Sequence, residues 1–152
     1  MSEKIVEKNI TVNRKARHDY FVIQSYEAGI VLLGTEVKAL RQNKANLSDA
    51  YASIKNNEVW LNSAHIGVYD FGNINNHDPL RIRKLLLNKR EIKKLSSKIN
   101  EKGHTLVPLR LYFLNGKVKV ELGLCKGKKS YDKRDDIKER DVKRDLDRYL
   151  KN

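Results

Sequence analysis

The sequence predicts a mainly β protein with short helices. Three observations favour this class: short segments in which apolar and polar residues alternate, Asn and Gly pairs that separate them, and one clear amphipathic helix between two groups of strands. The 152 residues are enough for one domain with an appended tail. Five or six short strands with hairpin turns suit a small antiparallel β-barrel of the OB type better than a sandwich.

Alternation predicts three pairs of strands, and turn residues join the members of each pair. In chain order, the pairs are residues 20–24 and 30–33 around a turn at Glu27-Ala28-Gly29, residues 50–55 and 59–66 around Asn56-Asn57, and residues 104–114 and 117–124 around Asn115-Gly116. The last pair has the strongest hairpin signal, because Asn-Gly favours the tight turn between antiparallel strands.

Helical periodicity predicts about three helices between these strands. The clearest one begins after Asn88, where Glu91 completes a capping box, and it ends by Gly103. A shorter helix is expected over residues 35–42, and a helical turn over residues 14–18.

The charge balance indicates an anionic partner. The chain has 32 Lys and Arg against 19 Asp and Glu, a net charge of +13 and a pI near 9.8. A nucleic acid holds cations in such numbers, whereas an acidic membrane also requires an apolar insertion face or a lipid signal. The sequence has neither, nor an apolar run of about 18 residues, nor a signal-peptide pattern. We therefore expect a cytoplasmic protein without a membrane partner.

The C-terminal residues differ in composition from the rest of the chain. Residues 126–152 hold 11 Lys and Arg and 7 Asp and Glu, which leaves too few apolar groups to drive folding. We expect an RNA-binding body over residues 1–129, with residues 1–9 mobile, and a basic tail over residues 130–152 that is disordered in the free protein. The tail keeps one apolar helical stripe, which can order only against a partner. That stripe comprises Val142, Leu146, Tyr149 and Leu150.

The sequence offers no convincing catalytic or metal-binding group. The four histidines are scattered and lack the i, i+4 spacing or the carboxylate neighbours of a metal site. Cys125 is the single cysteine, and we expect it to be a small buried side chain. No phosphate-binding loop or dinucleotide fingerprint occurs. The expectation is therefore a protein that is not an enzyme, with no cofactor and no metal.

Four basic clusters predict where RNA binds. They are Arg14-Lys15-Arg17, Lys38-Arg41-Lys44, Arg81-Arg83-Lys84 and Lys126-Lys128-Lys129, the last with Gly127 inside it. Folded RNA is favoured over duplex DNA, because nothing resembles a recognition helix, whereas a barrel with aromatic and basic edges suits RNA loops and stacked bases.

Two acids lie in these basic surroundings, Glu27 in YEAG and Glu36 in GTEVKAL. A carboxylate there can pair with a neighbouring Arg or Lys, or it can accept hydrogen bonds from the amino or imino groups of a base. For Glu27 both interpretations stay open, and its predicted turn position favours base reading.

The same residues resemble the small protein B family, the partner of transfer-messenger RNA in bacterial ribosome rescue. The similarity runs over nearly the whole chain in four ordered segments: NRKARHDYF at 13–21, YEAGIVLLGTEVKALRQNKANLSDAY at 26–51, DPLRIRKLLLNKREI at 78–92 and CKGKKSYDKRDDIKER at 125–140.

The resemblance implies an OB-type barrel with three helices that binds the tRNA-like domain of transfer-messenger RNA, where the protein substitutes for a missing anticodon stem. The complex enters a stalled ribosome whose mRNA has run out, and the incomplete protein receives a degradation tag. The residues that match the family's RNA-facing surface are Asn13, Arg14, His18, Tyr20, Glu27, Leu86, Lys119, Gly127, Lys128 and Lys129.

The resemblance also assigns the tail to the ribosome. The family's DKR motif is present at Asp132, Lys133 and Arg134, and the tail after it becomes a helix in the empty mRNA channel. The family often has His before this motif, so Tyr131 keeps a stacking role but supplies no imidazole. The implied partners are transfer-messenger RNA and the rRNA of the decoding centre and mRNA channel, bound by a monomer.

Two other interpretations remain. One is a ribosomal or translation-factor OB module that binds rRNA or tRNA, and the less favoured one is an RNA-modifying enzyme. The RNA that copurifies distinguishes the first, because a ribosomal module retains bulk rRNA. An enzyme requires a cofactor pocket or a catalytic cluster.

Overall fold

β-strands are the main secondary structure of the protein, shown by a computed structural model that describes residues 5–71, 75–101 and 103–128. The strands in these ranges are β1 (Glu7–Val12), β2 (Tyr20–Ile30), β3 (Ala45–Asn46), β4 (Tyr51–Lys55), β5 (Glu58–Asn62), β6 (His65–Ile66), β7 (Arg83–Leu86), β8 (His104–Leu114) and β9 (Lys117–Gly127). The helices there are α1 (Arg14–Asp19), α2 (Gly34–Arg41) and α3 (Lys89–Ile99). The prediction of a mainly β protein with about three helices is confirmed.

Antiparallel pairing closes six strands into a ring. Its order is β8-β4-β5-β7-β2-β9, and β9 pairs back onto β8. β1 and β4 pair with the same edge of β8. β1 pairs with its second half, and β4 pairs with its first half at Leu106. β3 and β6 form a separate two-stranded sheet. The ring therefore has an inner face for the core and an outer face for other contacts.

Both hairpins with Asn-containing turns form where the sequence predicts them. Asn56 and Asn57 join β4 to β5 with φ of 52° and 61°, and Asn115 and Gly116 join β8 to β9 with φ of 49° and 81°. These left-handed conformations match the twist of the flanking strands, and Asn and Gly tolerate them best.

The turn predicted at residues 27–29 is wrong. β2 runs through these residues without a break, with Glu27 opposite Glu121 and Gly29 opposite Lys119 on β9. Gly29 has a packing role, because a Cβ atom there would lie 3.2 Å from the Cβ of Leu86 on β7. The glycine therefore marks a close approach of two strands.

Residues 7–9, in the segment that the sequence predicts to be mobile, form the first part of β1. Glu7 pairs with Leu114 and Asn9 with Tyr112 as β1 lies along β8. The backbone N–H of Val6 also donates to Oδ1 of Asn115, 2.9 Å away. The strand is short and polar, so its order comes from pairing with β8 and not from local sequence.

Apolar side chains cover both faces of the β8–β9 hairpin. The inner core includes Leu106, Leu122 and Leu124, each at most 1% exposed. On the outer face, Val107, Leu109 and Cys125 pack against Ala16 of α1. α1 is therefore fixed to the outside of the ring.

The capping box predicted for α3 is present. The side chain of Asn88 accepts from the backbone N–H of Glu91 at 2.9 Å, and the side chain of Glu91 accepts from the backbone N–H of Asn88 at 3.3 Å. Leu95 is fully buried against the core, and the helix ends at Ile99. The predicted helices at 35–42 and 14–18 correspond to α2 and α1 within a residue at each end.

Candidate nucleic-acid interface

On the outside of the ring, α1 presents four basic or imidazole side chains to solvent: Arg14, Lys15, Arg17 and His18. Asn13 holds the helix in place. Its Oδ1 accepts from the backbone N–H of Ala16 at 3.1 Å, and its Nδ2 donates to the carbonyls of Leu47 at 3.0 Å and Pro108 at 2.8 Å. Because Asn13 is 3% exposed, it orients the basic helix and does not itself reach the surface.

The β2–β9 ladder joins this helix to the other predicted residues. Tyr20, directly after α1, lies opposite Gly127, and Gly29 at the far end lies opposite Lys119. Nζ of Lys128 lies 4.7 Å from the centre of the Phe21 ring, so a cation and an aromatic face occur together near α1. An 11-residue strand spans about 35 Å, and the ladder carries predicted residues at both ends.

Glu27 lies on the outer face of this ladder and is exposed. Its Oε1 accepts a hydrogen bond from the hydroxyl of Tyr112 on β8, at 2.5 Å. Burial raises the pKa of Tyr112, and the hydrogen bond and charge of Glu27 raise it further, so the hydroxyl keeps its proton at neutral pH. The carboxylate of Glu27 is therefore fixed by a hydrogen bond. Glu27 lies on a strand, so the turn position predicted for it is wrong.

β7 contributes residues at the far end of the ladder. Leu86 is 51% exposed and lies opposite Gly29. Nζ of Lys84 lies 3.1 Å from Oε1 of Glu58, and both side chains are partly exposed. Leu86 therefore adds an apolar surface next to the Glu27 end of the ladder.

Glu36 forms a buried ionic cluster with Arg81 and Arg83. One oxygen of Glu36 lies 2.6 Å from Nη2 of Arg81 and 2.7 Å from the backbone N of Leu33, and the other accepts from Nε of Arg83. Burial by itself raises the pKa of Glu36, but the hydrogen bonds from Arg81, the Leu33 amide and Arg83 outweigh it and lower the pKa.

Arg83 was predicted as an RNA contact, yet its side chain is fully buried. Besides Glu36, its guanidinium donates to the carbonyl of Ala64 at 2.8 Å and to that of Pro79 at 3.2 Å. Through Glu36, Arg83 connects β7 to α2, and through the two carbonyls it connects β7 to the segments at Ala64 and Pro79. Arg83 therefore stabilises the fold and does not belong to the surface that a nucleic acid can touch.

The basic residues on α2 and directly after it form a separate group. Lys38 and Arg41 are exposed, and Nζ of Lys38 lies 5.5 Å from the centre of the Tyr69 ring. Nζ of Lys44 lies 2.7 Å from Oδ2 of Asp70. α2 packs mainly against β6, so this cluster is carried by different elements from those that carry Arg14 and Glu27.

The described residues contain no group of three or more His, Cys, Asp or Glu that could hold a metal ion. His77 is buried, with Nδ1 2.9 Å from the Thr35 hydroxyl and Nε2 2.9 Å from the Ile66 carbonyl. Burial raises the pKa of the Cys125 thiol to about 11, so it is an unreactive core side chain at neutral pH. No helix in the described part of the chain is long and apolar enough to cross a membrane.

Sequence reasoning missed Tyr112 and Phe21. Tyr112 reaches Glu27 from a strand 85 positions later in the chain, and no local pattern connects the two. Phe21 could have been found, because it directly follows the basic helix. The predicted residues from Lys129 onward lie outside the described residues; they are Lys129, Tyr131, Asp132, Lys133, Arg134, Val142, Leu146, Tyr149 and Leu150.

The fold and this surface define a class: a basic antiparallel β protein whose outer face is suited to a structured polyanion. The SmpB protein family model matches residues 10–152. The SsrA-binding protein of Geotalea uraniireducens is 61% identical over 151 residues, which cover 99% of this chain and 97% of the relative. That of Acetivibrio thermocellus is 61% identical over 142 residues, covering 93% and 92%.

A solved structure also matches, described as "tmRNA-SmpB: a journey to the center of the bacterial ribosome". The matching chain is 46% identical with a TM-score of 0.68, and the alignment covers 86% of this chain and 89% of the other. Together with the family model and the relatives, this match is conclusive: the chain belongs to the SmpB family.

Proposed function

We propose that this protein binds the tRNA-like domain of transfer-messenger RNA and delivers it to stalled ribosomes, so that incomplete proteins are tagged. Relatives with 61% identity are SsrA-binding proteins, and the matching solved chain comes from a structure whose description names tmRNA, SmpB and the bacterial ribosome. The function implies action in the cytoplasm, where ribosomes are. We assign the protein no catalytic step of its own.

The observation that carries the proposal is the outer surface formed by β2, β9 and the helix α1 packed against it. Arg14 and Lys128 supply cations at one end, and Glu27 with Lys119 supplies an acid and a base toward the other. Arg17 extends between them, with Nη2 3.9 Å from Oε2 of Glu121, which is directly opposite Glu27. Cations neutralise phosphates irrespective of sequence, whereas a held carboxylate accepts hydrogen bonds from bases. A surface with both can grip a folded RNA and also select it.

The proposed RNA-facing set follows this surface. It comprises Arg14, Lys15, Arg17, His18, Tyr20, Glu27, Leu86, Lys119, Gly127 and Lys128. Lys38 and Arg41 on α2, with Arg81 before β7 and Lys84 on β7, are assigned at most a supporting role, because ion pairs hold Arg81 and Lys84 and α2 packs mainly against β6.

The test compares two RNAs of equal length, the tRNA-like domain of transfer-messenger RNA and an unrelated folded hairpin, titrated with the protein at one salt concentration. We expect tighter binding to the tRNA-like domain, and this RNA should copurify with the protein from cells. Equal affinity for both RNAs, or copurification of bulk rRNA alone, would favour a general ribosomal RNA binder instead.

The role proposed for the tail has its own test. A chain that ends at Lys129 should keep its affinity for the tRNA-like RNA but fail to support tagging in reconstituted translation on an mRNA without a stop codon. Leu146→Asp with Leu150→Asp should give an intermediate defect, because it removes the apolar stripe of the tail. Loss of RNA binding on truncation, or normal tagging, would contradict this role.

A further inference from the structure

Tyr112 lies under the surface proposed to contact RNA and reaches it through a single atom. The residue is 3% exposed, and its hydroxyl donates to Oε1 of Glu27, which is exposed. Tyr112 is on β8 and Glu27 on β2, with β9 between them. The tyrosine side chain therefore spans β9 and ends at the carboxylate.

The ring of Tyr112 is itself fixed from outside. The guanidinium carbon of Arg110 lies 3.9 Å from the ring centre. Nε of Arg110 donates to Oε2 of Glu121 at 3.1 Å, and Nη1 donates to Oδ1 of Asn9 at 2.7 Å and pairs with Glu7. Because several partners hold Arg110, the phenol beneath it has little freedom to turn.

The position of Glu27 requires such a support. Glu27 and Glu121 are directly opposite each other on β2 and β9, and like charges at opposed positions repel. The guanidinium of Arg110 forms an ion pair with Glu121, and the hydroxyl of Tyr112 donates a hydrogen bond to one oxygen of Glu27. Among the described residues, Tyr112 donates the only side-chain hydrogen bond to Glu27. The second oxygen, Oε2, is therefore left for a ligand.

We propose that Tyr112 is a positioning residue for RNA recognition, which fixes the carboxylate of Glu27 so that its free oxygen meets a base donor. This inference rests on the proposed function. An exposed glutamate otherwise loses rotamer freedom when it binds, and a side chain that is ordered beforehand avoids much of this cost. The network thus supplies selectivity from a residue that never touches the RNA.

The test uses the full chain with Tyr112→Phe, which keeps the ring under Arg110 and removes the hydroxyl. We expect about a two- to tenfold loss of affinity for the tRNA-like RNA, because the released carboxylate must lose its rotamer freedom when the RNA binds. Affinity for the unrelated hairpin should stay level, and the variant should remain folded at the assay temperature even if the lost hydrogen bond lowers its melting temperature. Tyr26→Phe is the matched control, because it removes the hydroxyl of another buried tyrosine. Tyr26 is on β2, and its hydroxyl has no partner among the described residues.

A double-mutant cycle with Glu27→Gln completes the test. If Tyr112 acts through Glu27, adding Tyr112→Phe to Glu27→Gln should cost no further affinity for the tRNA-like RNA. Additive losses, an equal loss on both RNAs, or a fall in melting temperature that accounts for the lost binding would overturn the proposal.

Two further outcomes separate this proposal from the proposed function. Failure of the wild type to prefer the tRNA-like RNA would count against the proposed function. Selectivity that is lost with Glu27→Gln but kept with Tyr112→Phe would refute only the role of Tyr112.

Discussion

Glu27 and Glu36 both lie among basic residues in the sequence, but the structure gives them opposite environments. Glu36 is fully buried, and Arg81, Arg83 and a backbone amide use both of its oxygens. Glu27 is exposed, with one oxygen held by Tyr112. The same residue type therefore stabilises the fold at one site and is available to a partner at the other. The burial of the side chain and the number of its hydrogen-bond donors determine which of these two roles the glutamate has.

The largest effect is expected at the buried acid. Glu36→Gln leaves Arg83 buried without a counter-charge, so the free energy of unfolding should fall by about 3–5 kcal/mol. Denaturant unfolding measures this loss. The double variant Glu36→Gln with Arg83→Met should lose less than the two single variants together, because no unpaired charge remains buried. A loss below 1 kcal/mol, about the value of an exposed pair, would refute the structural role of this cluster.

The buried acid should also make stability depend on pH. Its pKa is lowered in the folded protein, so its contribution is fully present above the unfolded value of about 4.3 and is lost as the pH falls through the folded value. The difference in unfolding free energy between wild type and Glu36→Gln should therefore be large at neutral pH and shrink in acid. A difference that stays constant between neutral and strongly acidic pH would contradict the lowered pKa.

At the exposed acid, the change should appear in RNA selectivity. Glu27→Gln should weaken binding to the tRNA-like RNA by about 1–3 kcal/mol, while binding to an unrelated RNA stays level or rises because a negative charge has gone. Parallel titrations of the two RNAs give the ratio of their affinities, which measures selectivity. Equal loss on both RNAs would identify Glu27 as a structural partner of Tyr112 only.

A lysine on the same surface provides a contrast with Glu27. Lys128→Ala should weaken binding to all RNAs alike and reduce the salt dependence by about one unit of log–log slope, since one phosphate contact is lost. The selectivity ratio should not change. A selective loss would mean that Lys128, next to Phe21, reads a base as well.

The smallest effect is expected at Tyr26, whose buried hydroxyl has no partner among the described residues. Tyr26→Phe should leave the free energy of unfolding unchanged or raise it by less than about 1 kcal/mol, because a desolvated unpaired group is removed. Thermal melting tests this directly. A clear destabilisation would show that the hydroxyl has a partner.

Local signals were sufficient for part of this structure. Asn115-Gly116 and the Asn88 capping box depend on residues within a few positions of each other, so the sequence shows them directly. Gly29 misled the turn prediction because its reason is distant: Leu86 on another strand packs against it. Local sequence records the glycine but not its neighbour.

The candidate site shows the same limit. Arg83 appeared to be part of a surface cluster because its burial depends on Glu36, 47 positions away. The exposed helix α1 was predictable, since its basic residues follow one another along the chain. The link between Tyr112 and Glu27 required the strand register, which composition and alternation do not determine.

The division of roles between the two acids is tested most directly by the RNA selectivity of Glu27→Gln and Glu36→Gln, measured side by side at a temperature where both are folded. The ratio of affinities for the tRNA-like RNA and the unrelated hairpin should fall for Glu27→Gln and match the wild type for Glu36→Gln. A fall of equal size in both variants, or a fall in Glu36→Gln alone, would contradict this assignment.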